Sequence, residues 1–201
     1  EAGIVLLDQQ RGRGYRECVK GRPYKKTHFN PMTRVSEKCI GCYPAVENNR
    51  QTQCTITCIG KIRTQGFIAP PDKAREDNPI DYIVHVAKVA KPLYPQFGLE
   101  PNVYYIPPVH VPPQYLYQMF GWGVEDAIKN YRNASADTKL LGALLLFGAT
   151  PEIIHHYKVE GRYTIGYDEK GSELVRVPFK EPIYLRVVYD DKYQTHRTNI
   201  T

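Results

Sequence analysis

No stretch of this chain is long and apolar enough to cross a bilayer. The most apolar run, residues 140–147 (LLGALLLF), falls far short of the roughly 20 residues a membrane helix needs, and Gly142 and Gly148 interrupt or end it. Membrane insertion is therefore not expected. The first residues carry no basic leader running into an apolar stretch, so no cellular address is legible there. No segment repeats at a period of 20 to 50 residues. The glycines of RGRGYRE (11–17) lack the spacing and the following Lys-Ser/Thr of a phosphate-binding loop, and no dinucleotide fingerprint is present. Histidine is scattered: His28, His85, His110 and His196 stand apart, and the adjacent His155 and His156 would point to opposite faces of a strand. No nucleophile and base arrangement forms around any of them, so no catalytic residue is expected. Haem, flavin and molybdenum cofactors find no ligand set here either. Cysteine is absent after Cys58.

What is present divides the 201 residues into two regions. Residues 1–66 contain 12 Lys/Arg against 5 Asp/Glu, while residues 67–201 contain 15 against 16. All five cysteines lie in the basic part. A basic patch can offset the charge of a thiolate-ligated cluster or meet an acidic protein surface. Tyr104, Tyr105 and Trp122 lack the basic, aromatic sheet pattern that stacks bases, so nucleic acid is not the expected partner. With 42% apolar and 24% charged residues the chain has the composition of a globular protein.

The pattern along the chain predicts an α+β fold. A strand is expected at residues 4–8 (IVLLD), a helix at 16–21, a strand near 25–31, a short helix at 53–59 and a strand at 62–68. These make up a first domain, residues 1–69, folded around its cysteines rather than around a large apolar core. The polar, Pro-bounded stretch 70–79 reads as a linker or exposed loop. Residues 70–201 form the extension: a helix at 81–91, a Pro-rich arm at 101–113 with five prolines, and helices at 114–120, 124–132 and 137–147. A hairpin around Asp168 to Gly171 follows, then a strand at 183–189 and a polar tail at 190–201.

The strongest local signal is Cys39-x2-Cys42-x11-Cys54-x3-Cys58. Four soft ligands in two close pairs suit zinc or an iron–sulfur cluster, and the spacing alone also leaves packing or disulfides open. The surrounding sequence is more specific. DQQRGRGYRECVKGRPYKK (8–26) and EKCIGCYPAVENNRQTQCTITCIGKIR (37–63) closely resemble the C-terminal cluster region of the iron–sulfur β subunits of respiratory nitrate reductase and nitrite oxidoreductase. The resemblance to the nitrite oxidoreductase β subunit continues through NPIDYIVHVAKVAKPLYPQFGLEPNVYYIPPVHVPP (78–113), FGATPEIIH (147–155) and the YDEKG turn (167–171). The match is to the C-terminal half of that subunit, as in a paralogue.

The resemblance implies a ferredoxin-like cluster domain, and it also marks departures. Where the family's first block has cysteines, Gly12 and Arg22 stand here; Tyr15 fills the family's aromatic position and Cys18 is retained. Ferredoxin pairs exchange one ligand between blocks. By that rule a three-iron site on position 12, Cys18 and Cys58 keeps two thiolates. A four-iron site on Cys39, Cys42, Cys54 and position 22 keeps three, and a guanidinium does not ligate iron. Gly12, Tyr15, Cys18, Arg22, Cys39, Cys42, Cys54 and Cys58 are accordingly read as vestigial cluster positions in degenerate motifs, and no cofactor or metal is expected. The alternative is one 4Fe-4S cluster, or zinc, on Cys39, Cys42, Cys54 and Cys58.

Loss of ligands beside a retained extension implies a structural or assembly subunit of a nitrite oxidoreductase complex. Its expected partners are the catalytic molybdenum subunit, the β subunit and further copies of itself, and its compartment is that of the complex. The arm 101–113 and the tail 190–201 are the expected contact segments. The alternative function is an electron-transfer subunit retaining one degenerate cluster.

Overall fold

The sequence TKLLGALL places Leu140 and Ala143 on one helical face, and Asp137 caps its start by accepting from the N–H groups of Lys139 and Leu140 at 3.0 Å each. In the computed structural model, which describes residues 4–12, 14–179 and 185–200, this becomes helix α7 (Thr138–Leu145). It lies against a three-stranded antiparallel sheet of β5 (His156–Glu160), β6 (Tyr163–Tyr167) and β7 (Glu173–Pro178). Gly142 permits that approach, since a Cβ there would stand 2.9 Å from Val159 Cγ2 and 3.1 Å from Thr164 Oγ1. Leu140, Ala143, Leu146, Ile154 and Tyr157 join Tyr82, Ile83, Val89 and Ala90 in the main core. Each large apolar side chain so buried contributes about 2 kcal/mol.

The regular helix expected at 81–91 does not form. Asn78 caps a single turn, α4 (Pro79–Asp81), and the chain then widens into a π-helix over Tyr82–Val86, closed by Ala87 N–H to Tyr82 O at 2.7 Å. Lys88 turns left-handed at φ 53°, and Val89 N–H reaches back to Ile83 O. The wider turn lets Tyr82, Ile83, Val89 and Ala90 all enter the core, which a straight helix would not allow. Strands β3 (Lys91–Pro92) and β4 (Tyr104–Tyr105) pair next, so part of the Pro-rich arm folds back on its own chain. Pro107 is buried and Ile106 packs on the core, whereas Val103 and Tyr105 stay exposed. A satellite core of Leu116, Phe120 and Val124 joins α5 (Pro113–Phe120) to α6 (Val124–Arg132).

The first region is built differently. It holds α1 (Glu17–Gly21), the hairpin β1 (Thr27–Asn30) and β2 (Val35–Lys38), α2 (Tyr43–Val46) and α3 (Gln53–Ile56). The fully buried residues among positions 4–67 are polar: Thr27, Ser36, Gln51 and Thr55. No apolar core exists there among the described residues. Two expected strands do not form. Residues 4–8 find no partner strand, and their chain turns at Gly12 N–H to Asp8 O. Residues 62–68 make no ladder: Asn78 Nδ2 donates to Phe67 O in place of a strand partner, while the Gln65 side chain accepts from Thr52 N–H.

The stretch 70–79 is tied down rather than loose. Asp81, fully buried, accepts from the N–H groups of Ala69 and Arg75, and Asp77 pairs with Arg75 and His156. The segment expected as a polar tail instead forms β9 (Thr195–Ile200), paired with β8 (Leu185–Asp190). The first two residues of the strand expected at 183–189 lie outside the described residues.

Candidate iron–sulfur site

The hairpin β1–β2 delivers Cys39 directly, since Thr27 pairs with Lys38 at its open end. A tight turn follows, with Gly41 at φ 67° and Cys42 at φ 51°. It brings Gly41 N–H within 3.3 Å of Cys39 Sγ, to which it donates. Gly41 is needed for this, because a Cβ there would meet Ile4 Cδ1 at 3.0 Å as well as carry the positive φ. Cys42 then precedes α2, whose second residue is Pro44.

The second pair sits on and just after α3. Thr52, at the N-cap, places its hydroxyl 3.3 Å from Cys54 Sγ and 2.9 Å from Thr55 Oγ1. That hydroxyl is the main cause holding the Cys54 thiol below its ordinary value; burial opposes it and the Arg63 charge adds to it. Cys58 is also lowered, chiefly by the main-chain N–H of Ile62, with burial opposing and Gly60, Arg63 and Lys61 reinforcing. The amides of residues 60–62 thus lie on the side of Cys58 that favours negative charge at its sulfur. Lys61 at φ 49° makes that loop possible. Thr52, Arg63 and the 60–62 amides escaped sequence reasoning, which weighed only ligands. The basic pair Lys61 and Arg63 in the run IGKIR was the available signal.

The first block is arranged apart from this set. Gly12 N–H donates to Asp8 O at 2.8 Å, and a Cβ at position 12 would lie 2.8 Å from that same oxygen. A cysteine cannot enter there unless the turn opens. Tyr15 is 81% exposed, Cys18 lies exposed on α1, and Arg22 follows the helix half-buried. Arg16 lays its guanidinium over Phe29 of β1. Among the described residues none of Gly12, Tyr15, Cys18 or Arg22 hydrogen-bonds to the four paired cysteines, and all five cysteines are free thiols.

Among the described residues no group of three or more His, Cys, Asp or Glu converges on a metal-ion position. The donor chemistry nonetheless fits a cluster. Soft ligands stand in two pairs, three of the four have amide or hydroxyl donors at sulfur, and they sit on short elements with no apolar core to disrupt. The first block does not fit, having one thiolate and a closed turn.

A protein-family model described as a 4Fe-4S dicluster domain matches residues 1–67. The β subunit of dimethylsulfide dehydrogenase from Rhodovulum sulfidophilum is 36% identical over 166 residues, covering 72% of this chain and 50% of that protein. The β subunit of selenate reductase from Thauera selenatis is 46% identical over 113 residues, 56% of this chain and 33% of that protein. The β chain of respiratory nitrate reductase 1 from Shigella flexneri is 30% identical over 203 aligned residues, 79% of this chain and 40% of that protein. The chain spans half the length or less of these relatives. These matches overturn the expectation that it holds no cofactor. The thiolates missing at positions 12 and 22 take one ligand from each of the two sites the resemblance implies, and Cys39, Cys42, Cys54 and Cys58 remain.

Proposed function

The chain belongs to the family of β subunits found in nitrate, selenate and chlorate reductases, and from that membership we propose that it is an electron-transfer subunit carrying one 4Fe-4S cluster on Cys39, Cys42, Cys54 and Cys58. When bound, such a cluster supplies one-electron redox chemistry at low energetic cost. The chain's own residues hold the thiolates: Gly41 N–H at Cys39, the Thr52 hydroxyl at Cys54, and the amides of Gly60, Lys61 and Ile62 at Cys58. Hydrogen bonds to cluster sulfurs and a nearby cation raise a reduction potential, and Arg63 provides the cation for both Cys54 and Cys58. The physiological partner in this reading is a molybdenum-bearing catalytic subunit. The extension after residue 79, with Tyr115 and Trp122 exposed, is its contact surface.

The observation that carries the reading is the absence of any buried apolar residue in described positions 4–67 of a segment matched by a dicluster domain. Such a segment has too little apolar burial to offset its ordering entropy, and metal ligation is the usual remedy. Anaerobic purification with iron and acid-labile sulfide quantitation tests it. The expected result is a brown protein with about four irons per chain, unchanged in Cys18→Ser and lost in Cys39→Ser, Cys42→Ser or Cys54→Ser. A colourless, iron-free protein after anaerobic reconstitution would overturn it.

A further inference from the structure

Away from the cysteines, a cavity of about 450 Å³ opens between the π-helical turn and the β3–β4 pair. Its walls are Pro71, Val84, Ala90 and Pro92, and its polar lining is His85, Lys88, Lys91 and Tyr104. Every polar side chain in that lining can donate a hydrogen bond, and no carboxylate belongs to it. Glu100 and Asp126 exert their charge on Tyr104 and Lys91 from outside the lining.

The backbone goes to some trouble to build this place. The π-helix carries Val84 and His85, and Lys88 holds a left-handed conformation that side chains rarely adopt. His85 is fixed by donating from Nε2 to Ala69 O at 3.0 Å, because a carbonyl can only accept. Lys91, half-buried, donates from Nζ to Trp122 O at 2.6 Å and to no carboxylate among the described residues. Lys88 is exposed and likewise forms no ion pair among them. Two cations without carboxylate partners, lining one cavity with a tyrosine and a histidine, make an anion-selective surface. The volume exceeds what one inorganic ion fills and lies in the range of small-molecule sites.

We propose that this cavity binds a small organic anion, a phosphate ester whose charged head meets Lys88 and Lys91 and whose apolar body lies against Pro71, Val84 and Pro92. The site is independent of the cluster, so it stands or falls on its own measurement. The chain has one tryptophan, Trp122, and its carbonyl accepts from Lys91, which makes its fluorescence a local reporter.

The test titrates the full chain with phenyl phosphate, inorganic phosphate and sodium chloride at constant ionic strength, following Trp122 fluorescence and calorimetric heat. Saturable binding of phenyl phosphate, about tenfold tighter than inorganic phosphate because part of a ring is buried, is the expected result. Lys88→Gly removes one ammonium while suiting φ 53°, so it should weaken binding about tenfold without lowering the melting temperature. Lys91→Gln should weaken it further. A response matched by chloride, or full-strength binding by Lys88→Gly, would refute the site. Equal affinities for phenyl phosphate and inorganic phosphate would refute the organic ligand.

Discussion

Removing iron should unfold the first region and leave the second standing. With no apolar core among the described residues, positions 4–67 are held locally by hydrogen bonds and the β1–β2 hairpin. Their links to the rest of the chain are hydrogen bonds and ring contacts rather than shared apolar core, among them Asn78 Nδ2 to Phe67 O and Phe67 against His155. Gln51 donates from Nε2 to Thr150 O and Glu152 O, and from its main chain to Pro151 O; Asn49 receives the N–H of Ile153 and faces His155; Tyr24 donates to Leu93 O. Each such bond is worth about 1 kcal/mol net, whereas ordering each residue costs about 1–2 kcal/mol of backbone entropy. Structural metal sites supply on the order of 10 kcal/mol of folding free energy, so ligation under the proposed function would outweigh these bonds. If about 3 kcal/mol of it reaches the hairpin, amides of β1 and β2 exchange more than a hundredfold faster after chelation.

The assay is hydrogen exchange by mass spectrometry on the reconstituted protein before and after anaerobic chelation. Peptides covering residues 27–38 should lose protection, while those covering α7 and β5–β6 should keep it. Equal protection of the hairpin with and without iron would refute the reasoning, because the lobe would then be stable on contacts too sparse to account for it.

Other expectations follow from separate features. Gly142→Ala should destabilise the chain by about 2 kcal/mol in urea unfolding followed by circular dichroism, because its Cβ would press on Val159 and Thr164 in the core. Tyr82 is pushed up to about 12 by burial and then by Asp137, and burial pushes Tyr157 up as well; their neutral forms favour the folded state. That stability is complete below pH 10 and is lost as pH rises through 12, so Tyr82→Phe should flatten the alkaline limb of the unfolding curve. Gly12→Cys with Arg22→Cys should leave the iron content at about four per chain, because the new Cβ at position 12 meets Asp8 O; a rise to about seven would refute that steric argument.

Local chemistry was legible in the sequence wherever one residue type acts alone. The turn at Asp168 to Gly171 and the three helices after residue 112 needed no knowledge of neighbours. The expectation failed where a backbone group found a distant side chain. Asn78 Nδ2 takes a carbonyl of 62–68, Gln65 Oε1 serves the N–H of Thr52, and no periodicity in IRTQGFI announces a partner 11 or 13 residues away. The π-helix is the same lesson in packing: the apolar spacing at 83, 86, 87 and 90 suits a regular helix, yet Val86 is exposed, because burying Val89 and Ala90 beside Tyr82 requires the extra residue per turn. At the candidate site the four cysteines were legible and their charge environment was not. Thiolate stabilisation here comes from main-chain amides at 60–62 and a threonine hydroxyl, and these become donors to sulfur only once the turn exists. That is why counting ligands pointed to an empty site. The count registered the absent thiolates at 12 and 22, while the groups that lower the Cys54 and Cys58 thiols carry no signature of their own.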